Sequence, residues 1–382
     1  MFQHDPGLLN KQLPRIAGLL AFAAMPALAA DPALLQKEMG IDPAKELAEV
    51  RIIEDLVVAP IPISNPTIGT GLAVVVMPFY HLGAGSPLSN TAVAAGVTSS
   101  GSWGVGAAQS TRVRGDQLRV DGFLGYIDLR YRFYGAGASA GSAGVSVPLV
   151  QKALMFAPEL LFHAGARAFL GLRYRGVRVE TAIDSATAPP PIEALLGESL
   201  TIFTSGLGPK LTYDTRDHEM SPSSGVFVEL RTNFAREDFG SDFNYDTYEL
   251  GGNYYRRIGT GVIGLRGYVC KVSERTPLFD LCLYGAGSDL RGYEAGRYRD
   301  RAMAAAQAEY RFPLAGRFGA VVFGGTGKVA RSFGDMNDEP DLPSIGVGLR
   351  WLAAQTARVN LSIDLARGRD DTSLYVYVKE SF

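Results

Sequence analysis

The chain has 382 residues, with 37 basic and 39 acidic side chains and a formal net charge of -2. This near balance provides no basic surface for nucleic acid, so we expect no nucleic-acid partner. Glycine is abundant at 45 residues, and tyrosine and phenylalanine number 17 and 19. Such a composition favours a β-barrel with aromatic girdles over a helical bundle.

The N-terminal segment 1–30 has the pattern of a secretory signal peptide. Basic residues precede an apolar stretch from Ile16 to Leu28, and Ala27-Leu28-Ala29 fits an A-x-A cleavage site. The alternative is a membrane anchor, but the apolar stretch is short for a span. No later segment reaches the ~18 consecutive apolar residues of a transmembrane helix. We therefore expect an exported chain in which 31–50 is a short periplasmic lead-in.

Between residues 51 and 382, apolar and polar side chains alternate with the period of two that β-strands require. In one such run Leu361 and Ile363 alternate with Ser362 and Asp364. A soluble antiparallel sandwich gives the same alternation. However, the runs exceed the ~5–6 residues of a typical strand and suit tilted strands that cross an apolar band of ~25 Å.

The sequence thus predicts an all-β fold, a transmembrane antiparallel β-barrel spanning 51–382 with about sixteen strands, an even number as such barrels favour. The predicted strands are 51–63, 67–80, 90–99, 102–113, 116–134, 152–163, 166–179, 199–213, 224–235, 243–257, 260–272, 301–312, 317–330, 342–352, 355–367 and 371–382. The gaps 135–151, 180–198, 273–300 and 331–341 are long and fall on one side, as outer loops do.

The long loop between strands 11 and 12 ends in a distinctive motif. Leu290-Arg291-Gly292-Tyr293 follows a glycine-rich approach, and Glu309-Tyr310-Arg311-Phe312 lies on the next strand. The polar face of that strand carries charges, which suits a watery lumen. We expect the loop to fold inward and to place Arg291 near Glu309 inside the barrel.

These motifs resemble the BamA/TamA superfamily of outer-membrane proteins, the bacterial surface antigen family, and the resemblance covers about 51–382. Asp214-Thr215-Arg216-Asp217, followed by Ser221-Pro222-Ser223-Ser224-Gly225, resembles the family's turn between strands 8 and 9. Ile345-Gly346-Val347-Gly348-Leu349-Arg350-Trp351 resembles a segment near the end of the family's barrel. Asp214, Arg216, Asp217, Pro222 and Gly225 are therefore the predicted periplasmic turn motif.

The resemblance implies a sixteen-stranded barrel whose sixth outer loop tucks into the lumen, where the loop arginine pairs with acids on strands 12 and 13. Arg291 and Glu309 match this pattern, and Gly292, Tyr293 and Arg311 complete the predicted lock. Gly325 stands where the second acid is expected. We therefore expect a looser lock with one acid. In a wet lumen we expect the Arg291–Glu309 pair to stabilise the fold by well under the ~3–5 kcal/mol that breaking a fully buried pair costs.

Family members that insert or secrete proteins carry POTRA domains before the barrel, and the segment 31–50 is too short for one. The resemblance therefore indicates a short, POTRA-less form located in the bacterial outer membrane. The expected function is outer-membrane protein or lipid assembly or translocation, through a seam between the first and last strands. The alternatives are a passive pore or structural surface antigen and, ranked lower, a lipid hydrolase. The expected partners are outer-membrane lipids including lipopolysaccharide, the machinery that inserts the barrel, and a periplasmic partner contacting 31–50.

A lipase-like motif, Gly137-Ala138-Ser139-Ala140-Gly141, also occurs. That chemistry needs the serine on a strand-to-helix elbow beside an oxyanion hole, whereas Ser139 lies in a low-complexity stretch. We therefore expect no catalytic residue, no cofactor and no enzymatic activity.

Three further features carry expectations. Cys270 and Cys282 are the only cysteines, and an oxidising compartment favours a disulfide between them. Phe382 is an aromatic residue on the predicted closing strand and resembles the signal read by the outer-membrane assembly machinery. An acidic loop is either solvated or holds a divalent cation against lipopolysaccharide; its acids are Asp335, Asp338, Glu339 and Asp341. We expect no resident metal site.

Overall fold

Sixteen strands form one antiparallel sheet in the computed structural model, which describes residues 55–65, 68–83, 85–184, 199–285, 289–370 and 372–382. The sheet contains β1 (Asp55–Asn65), β2 (Gly69–Tyr80), β3 (Ser89–Thr98), β4 (Trp103–Val113), β5 (Leu118–Phe133), β6 (Val147–His163), β7 (Ala168–Ile183), β8 (Leu200–Asp214), β9 (Gly225–Ala235), β10 (Tyr245–Ile258), β11 (Gly261–Val272), β14 (Ala302–Pro313), β15 (Phe318–Ala330), β16 (Ser344–Ala354), β17 (Val359–Arg367) and β18 (Thr372–Val378). Two short strands, β12 (Cys282–Leu283) and β13 (Arg299–Asp300), pair with each other inside the long loop. The predicted all-β barrel of about sixteen strands is confirmed.

The strands follow chain order around the sheet, and each pairs with the next. The long connections after β5, β7, β11 and β15 therefore lie at one end, the predicted outer side, and the other end is the predicted periplasmic side. The connection after β5 contains a short helix, α1 (Ala138–Ala143), and one-turn 3-10 segments occur at Glu237–Phe239, Leu278–Asp280 and Phe333–Asn337. None of the helices among the described residues has the length and apolar character needed to span a bilayer. The predicted segments 1–30 and 31–50 lie outside the described residues.

Each strand separates two environments. On β16 the side chains of Ile345, Val347 and Leu349 are exposed on the outer surface, while Ser344 before them and Arg350 after them are buried on the inner side. An apolar outer face and a polar inner face are what a barrel in lipid requires. The inner face is where the charged side chains meet.

The two ends of the sheet, β1 and β18, lie against each other without a backbone ladder. Every other neighbouring pair of the sheet has a hydrogen-bonded register, and among the described residues no such register joins β1 to β18. An apolar cluster at the periplasmic end of this seam includes Val57, Phe79 and Ala357, with Val378 packed against it. Side-chain packing therefore closes the seam where backbone pairing is missing.

The prediction that the last strand runs to residue 382 is wrong, because β18 ends at Val378. Lys379 has a φ of 86°, a left-handed conformation that ends the extended chain. Its N–H bonds to the Asn360 carbonyl at 2.7 Å, and its own carbonyl accepts from the Ser362 hydroxyl at 2.7 Å. Residues 379–382, which we call the tail, therefore turn into the lumen.

Candidate functional site in the barrel lumen

Alternation along β14, β16 and β17 points four charged side chains into the lumen. Glu309 and Arg311 lie two residues apart on β14, Arg350 lies on β16, and Asp364 lies on β17. All four are buried. Gly348 faces Asp364 across the ladder, and a Cβ at that position would lie 1.9 Å from Asp364 Oδ1. This glycine therefore leaves room for the carboxylate.

The long loop carries Arg291 into this group. Its Nη2 lies 2.7 Å from Glu309 Oε2, and its Nη1 lies 2.5 Å from Asp364 Oδ2. Its Nε donates to Gln307 Oε1 at 3.0 Å, and its guanidinium carbon lies 3.5 Å from the centre of the Phe323 ring. A planar guanidinium is suited to several simultaneous bonds and to stacking on an aromatic face.

The expectation of a lock with one acid is wrong. Asp364, on a strand that the sequence motif did not implicate, is the second acid. The expectation of a wet lock is also wrong, because the Arg291 side chain is 2% exposed and those of Glu309 and Asp364 are 0% exposed. Breaking such a pair leaves a buried charge without its partner.

The absence of an acid at position 325 has a steric cause. A Cβ on Gly325 would lie 2.4 Å from the Ala306 carbonyl oxygen and 2.5 Å from Leu290 Cδ1. Leu290 is fully buried at this point. The residue before Arg291 therefore occupies the space that an aspartate at 325 would need.

The ion pairs continue into a closed circuit. Asp364 Oδ1 also lies 2.5 Å from Arg350 Nη1, and Arg350 Nε lies 2.8 Å from Glu380 Oε2. Arg311 completes the circuit, because it lies 3.9 Å from Glu380 and 3.2 Å from Glu309. We call these six side chains the charge ring: Arg291, Glu309, Arg311, Arg350, Asp364 and Glu380. Three guanidinium groups balance three carboxylates, and the ring joins the loop, three strands and the tail.

The rest of the predicted lock holds the loop beside the ring. The Gly292 N–H donates to the Tyr375 hydroxyl at 2.8 Å. The Tyr293 hydroxyl donates to the Pro343 carbonyl at 2.6 Å, and its ring packs edge-on against Tyr284 and Tyr298. The loop tip is therefore fixed by backbone and aromatic contacts as well as by charge.

A second anchor of the loop was missed from the sequence. Asp280, in the 3-10 segment, receives two 2.7 Å bonds from Arg175 on β7 and one of 2.5 Å from the Tyr245 hydroxyl. Arg175 lies on a strand with several arginines on its polar face, so nothing in the sequence singled it out. The loop is thus tied to opposite walls of the barrel.

Cys270 at the end of β11 and Cys282 in β12 form a disulfide, with a Cα–Cα distance of 5.8 Å. It fixes the start of the loop to the barrel wall, next to the charged anchors.

Replacing both cysteines by serine is expected to lower the free energy of unfolding by ~2–4 kcal/mol, because the cross-link restricts the unfolded chain. Urea unfolding of the double variant in detergent micelles measures this loss, and wild-type protein kept reduced should show the same loss. An unchanged unfolding curve in both samples would contradict it.

The predicted periplasmic turn motif lies away from the charge ring, in the turn between β8 and β9. Asp214 pairs with Arg216 at 2.8 Å, and the Asp217 carboxylate accepts from the Ser223 N–H at 2.7 Å. Pro222 is buried within this turn, and Gly225 is the first residue of β9. The motif builds a rigid turn at the periplasmic mouth.

His218 in this turn is expected to titrate below the ordinary histidine range. Burial and the positive charge of Arg358 lower its pKa, and its Nδ1 accepts N–H bonds from Met220 at 3.2 Å and Ser221 at 3.3 Å. Because the folded pKa is depressed, the stabilisation is present above the unfolded pKa of ~6.5 and is lost as the pH falls through the folded value. Histidine hydrogen–deuterium exchange by mass spectrometry should give a lower pKa in the folded than in the urea-unfolded chain. Equal values would contradict this prediction.

Phe382 lies in the lumen and not on the closing strand. Its ring centre is 6.4 Å from that of Tyr255 on β10, and it is buried. The prediction that it ends an alternating strand is therefore wrong. The tail leaves the sheet after Val378 and enters the lumen, where its Glu380 belongs to the charge ring.

The remaining candidates do not assemble a site. Ser139 lies on the exposed side of α1, a helix that the sequence reading missed. Asp335 bonds to Ser332, and Asp341 lies 3.6 Å from Lys328. Within the described ranges, no group of three or more His, Cys, Asp or Glu residues is placed to hold a metal ion.

Comparison with solved structures shows the same barrel. BamA from Haemophilus ducreyi, lacking POTRA domains 1-3, matches with a TM-score of 0.54 and 14% identity over 91% of this chain and 77% of that chain. CdiB from Acinetobacter baumannii matches with a TM-score of 0.56 and 11% identity over 86% and 60% of the two chains. CdiB from Escherichia coli gives 0.57 and 13% over 85% and 62%. The present chain thus spans less than two thirds of either CdiB.

At these identities the likeness establishes the fold alone. No protein with a curated description matches the sequence significantly. A family model described as the Omp85 superfamily domain matches residues 111–373, which is more than half of the chain. The chain belongs to the Omp85 superfamily and is an outer-membrane β-barrel.

Proposed function

We propose that this barrel takes part in moving or inserting protein or lipid at the outer membrane, through the seam between β1 and β18. The observation that carries the proposal is that no ladder joins β1 to β18 among the described residues, in a sheet whose other neighbouring strands are all paired. Unpaired backbone edges are costly in lipid. A seam held by side chains is therefore the part of the wall that opens at lowest cost.

The composition of the seam strands supports this proposal. β1 contains Pro60 and Pro62, and each proline lacks an N–H that a ladder would use. On the other side β18 has 7 residues whereas β1 has 11, so the two edges do not match in length. Both features favour an edge that exchanges partners over a permanently closed wall.

The charge ring supports a link between the loop and the seam. Arg350 and Asp364 lie on β16 and β17, the strands that precede β18, and Glu380 lies two residues after the end of β18. Undocking of Arg291 removes a countercharge from Asp364. The loop therefore sets the electrostatic environment of the strands that form one side of the seam.

The proposal also covers partners. Outer-membrane lipids including lipopolysaccharide surround the barrel, the outer-membrane assembly machinery inserts it, and residues 31–50 contact a periplasmic protein. BamA and CdiB are among the solved barrels that share this fold, and the proposed role in assembly or translocation rests on the seam.

The test is to cross-link the seam in cells. Ala59→Cys with Val378→Cys, joined by a short thiol cross-linker, holds β1 to β18. The matched control joins Val75→Cys with Ala94→Cys, a pair already adjacent in the β2–β3 ladder.

Depletion of the protein is expected to change the protein or lipid profile of the outer membrane. The control should restore the profile, and the seam-linked variant should not. Restoration by the linked seam, or a profile unaffected by depletion, would contradict the proposal and favour a structural surface antigen. A large, persistent conductance of the wild-type barrel would favour a passive pore.

A further inference from the structure

The turn between β8 and β9, residues 215–224, is held in one shape by its own hydrogen bonds. Asp217 accepts N–H bonds from Ser223 at 2.7 Å and Ser224 at 3.1 Å, and it also accepts from the Ser223 hydroxyl. Arg216 donates to the Glu219 carbonyl at 3.3 Å. We call this segment the periplasmic turn. It is too well bonded to be a loose connection.

The periplasmic turn reaches the opposite wall of the barrel. β8 and β9 lie halfway around the sixteen-stranded sheet from the β1–β18 seam, yet Met220 packs against the apolar cluster beside that seam. Met220, Phe79 and Ala357 line one cavity of about 410 Å³. In a closed barrel, such a contact requires the turn to lie across the mouth.

Charges hold the turn in this position. Glu219 Oε1 lies 2.8 Å from Arg112 Nη2 on β4. Arg112 is also paired with Asp121 on β5 at 2.6 Å, which fixes the guanidinium for Glu219. Burial opposes ionisation of Glu219, but Arg112, Arg216 and Arg119 outweigh it and lower the pKa of this carboxyl to about 2. The ion pair therefore persists at any physiological pH.

The turn between β16 and β17 also acts on the periplasmic turn, through the charge of Arg358. The positive charge of Arg358 lowers the pKa of both Asp217 and His218, after the effects of burial and, for Asp217, of its hydrogen bonds. Asp217 thus faces a cation from the far rim, in addition to its bonds with Ser223 and Ser224. One end of the turn is bound to its own strands, and its middle is bound to the rim around β1, β4 and β16–β17.

We propose that residues 215–224 form a lid that closes the periplasmic mouth of the lumen, latched by the Glu219–Arg112 ion pair and by Met220 against the seam cluster. The lid and the charge ring use different residues, so they are two separate closures. Because Met220 packs against the seam cluster, to which β1 contributes Val57 and against which Val378 of β18 also packs, movement of β1 away from β18 disrupts the surface on which the lid rests. Opening of the seam and opening of the periplasmic mouth are therefore linked.

The test uses the full chain in planar lipid bilayers with the loop already loosened by Arg291→Met. In that background the combined change Glu219→Gln and Met220→Ser removes both latches. The matched control is Ser224→Ala, an exposed position on the same turn. Single-channel conductance is expected to rise with the latch changes and to stay unchanged with Ser224→Ala. Equal conductance in both variants would overturn the proposal, provided both show the heat-modifiable mobility of a folded barrel.

A second measurement does not depend on weakening the turn. Met220→Cys with Ala357→Cys in the same background, treated with a short thiol cross-linker, should give a cross-linked chain whose conductance is lower than before treatment. The cysteine pair Ser139→Cys with Ala357→Cys serves as the control and should not cross-link, because Ser139 is exposed on α1, at the other end of the barrel. Failure of the 220–357 pair to cross-link in folded protein, or a cross-link without loss of conductance, would overturn the lid.

Discussion

Replacing Arg291 by methionine is expected to lower the free energy of unfolding by ~3–5 kcal/mol, the usual cost of removing one partner from a buried ion pair. The variant leaves Glu309 with Arg311 alone and Asp364 with Arg350 alone. Because both carboxylates are fully buried, water does not replace the lost guanidinium without opening the lumen. Urea unfolding in detergent measures the loss, and limited proteolysis should cut the long loop faster.

The matched control is Arg301→Met, at the other end of the loop. Arg301 lies 3.2 Å from Glu274, whose side chain is 88% exposed, so the expected loss is at most ~1 kcal/mol. Arg291→Lys should fall between the two, since lysine keeps the charge and loses the planar fork. Equal losses in the methionine variants at 291 and 301 would contradict a buried lock.

Replacing Asp364 by asparagine is the second large effect, with an expected loss of ~3–5 kcal/mol. Asp364 contacts two guanidinium groups, of Arg291 and Arg350, and accepts from the Tyr377 hydroxyl. The amide keeps the shape of the side chain but leaves two buried cations with less negative charge. Urea unfolding again measures the loss, and Asp335→Asn, in the outer acidic segment, should cost at most ~1 kcal/mol.

Adding an acid where relatives are expected to have one should not rescue this variant. In the Asp364→Asn background, the new side chain of Gly325→Asp would clash with Leu290 and with the Ala306 carbonyl. The second substitution is therefore expected to lower the free energy of unfolding further. Recovery of stability in that double variant would show that the second acid is interchangeable between the two strands.

Much of the fold was predictable because alternation is a local signal. Side chains at Ile363 and Leu365 face lipid and those at Ser362 and Asp364 face the lumen, so the sequence of each strand shows the period of two by itself. The sixteen predicted strands overlap the sixteen strands of the observed sheet, and the last strand ends at Val378 instead of at residue 382. Its end depends on the φ of Lys379 and on bonds to β17, which no local pattern encodes.

The partners within the site were harder to predict, since they depend on side chains that meet across the lumen. Glu309 follows Arg291 closely in sequence and was proposed as its partner. Asp364 is 73 residues from Arg291 in the chain. In the sequence it is one more polar position on an alternating strand, so the pattern did not mark it as a partner of Arg291. The signal that was available is Gly348, opposite Asp364 in the ladder, because a glycine on an inward face marks space that another side chain fills.

The most direct test of this account is a double-mutant cycle between Arg291→Met and Asp364→Asn, with the free energy of unfolding measured for all four proteins. A lock in which the two side chains bind each other predicts that their losses are not additive, with a coupling of ~0.5–3 kcal/mol as for residues in contact. Losses that add to within ~0.3–0.5 kcal/mol, as for independent sites, would contradict the charge ring.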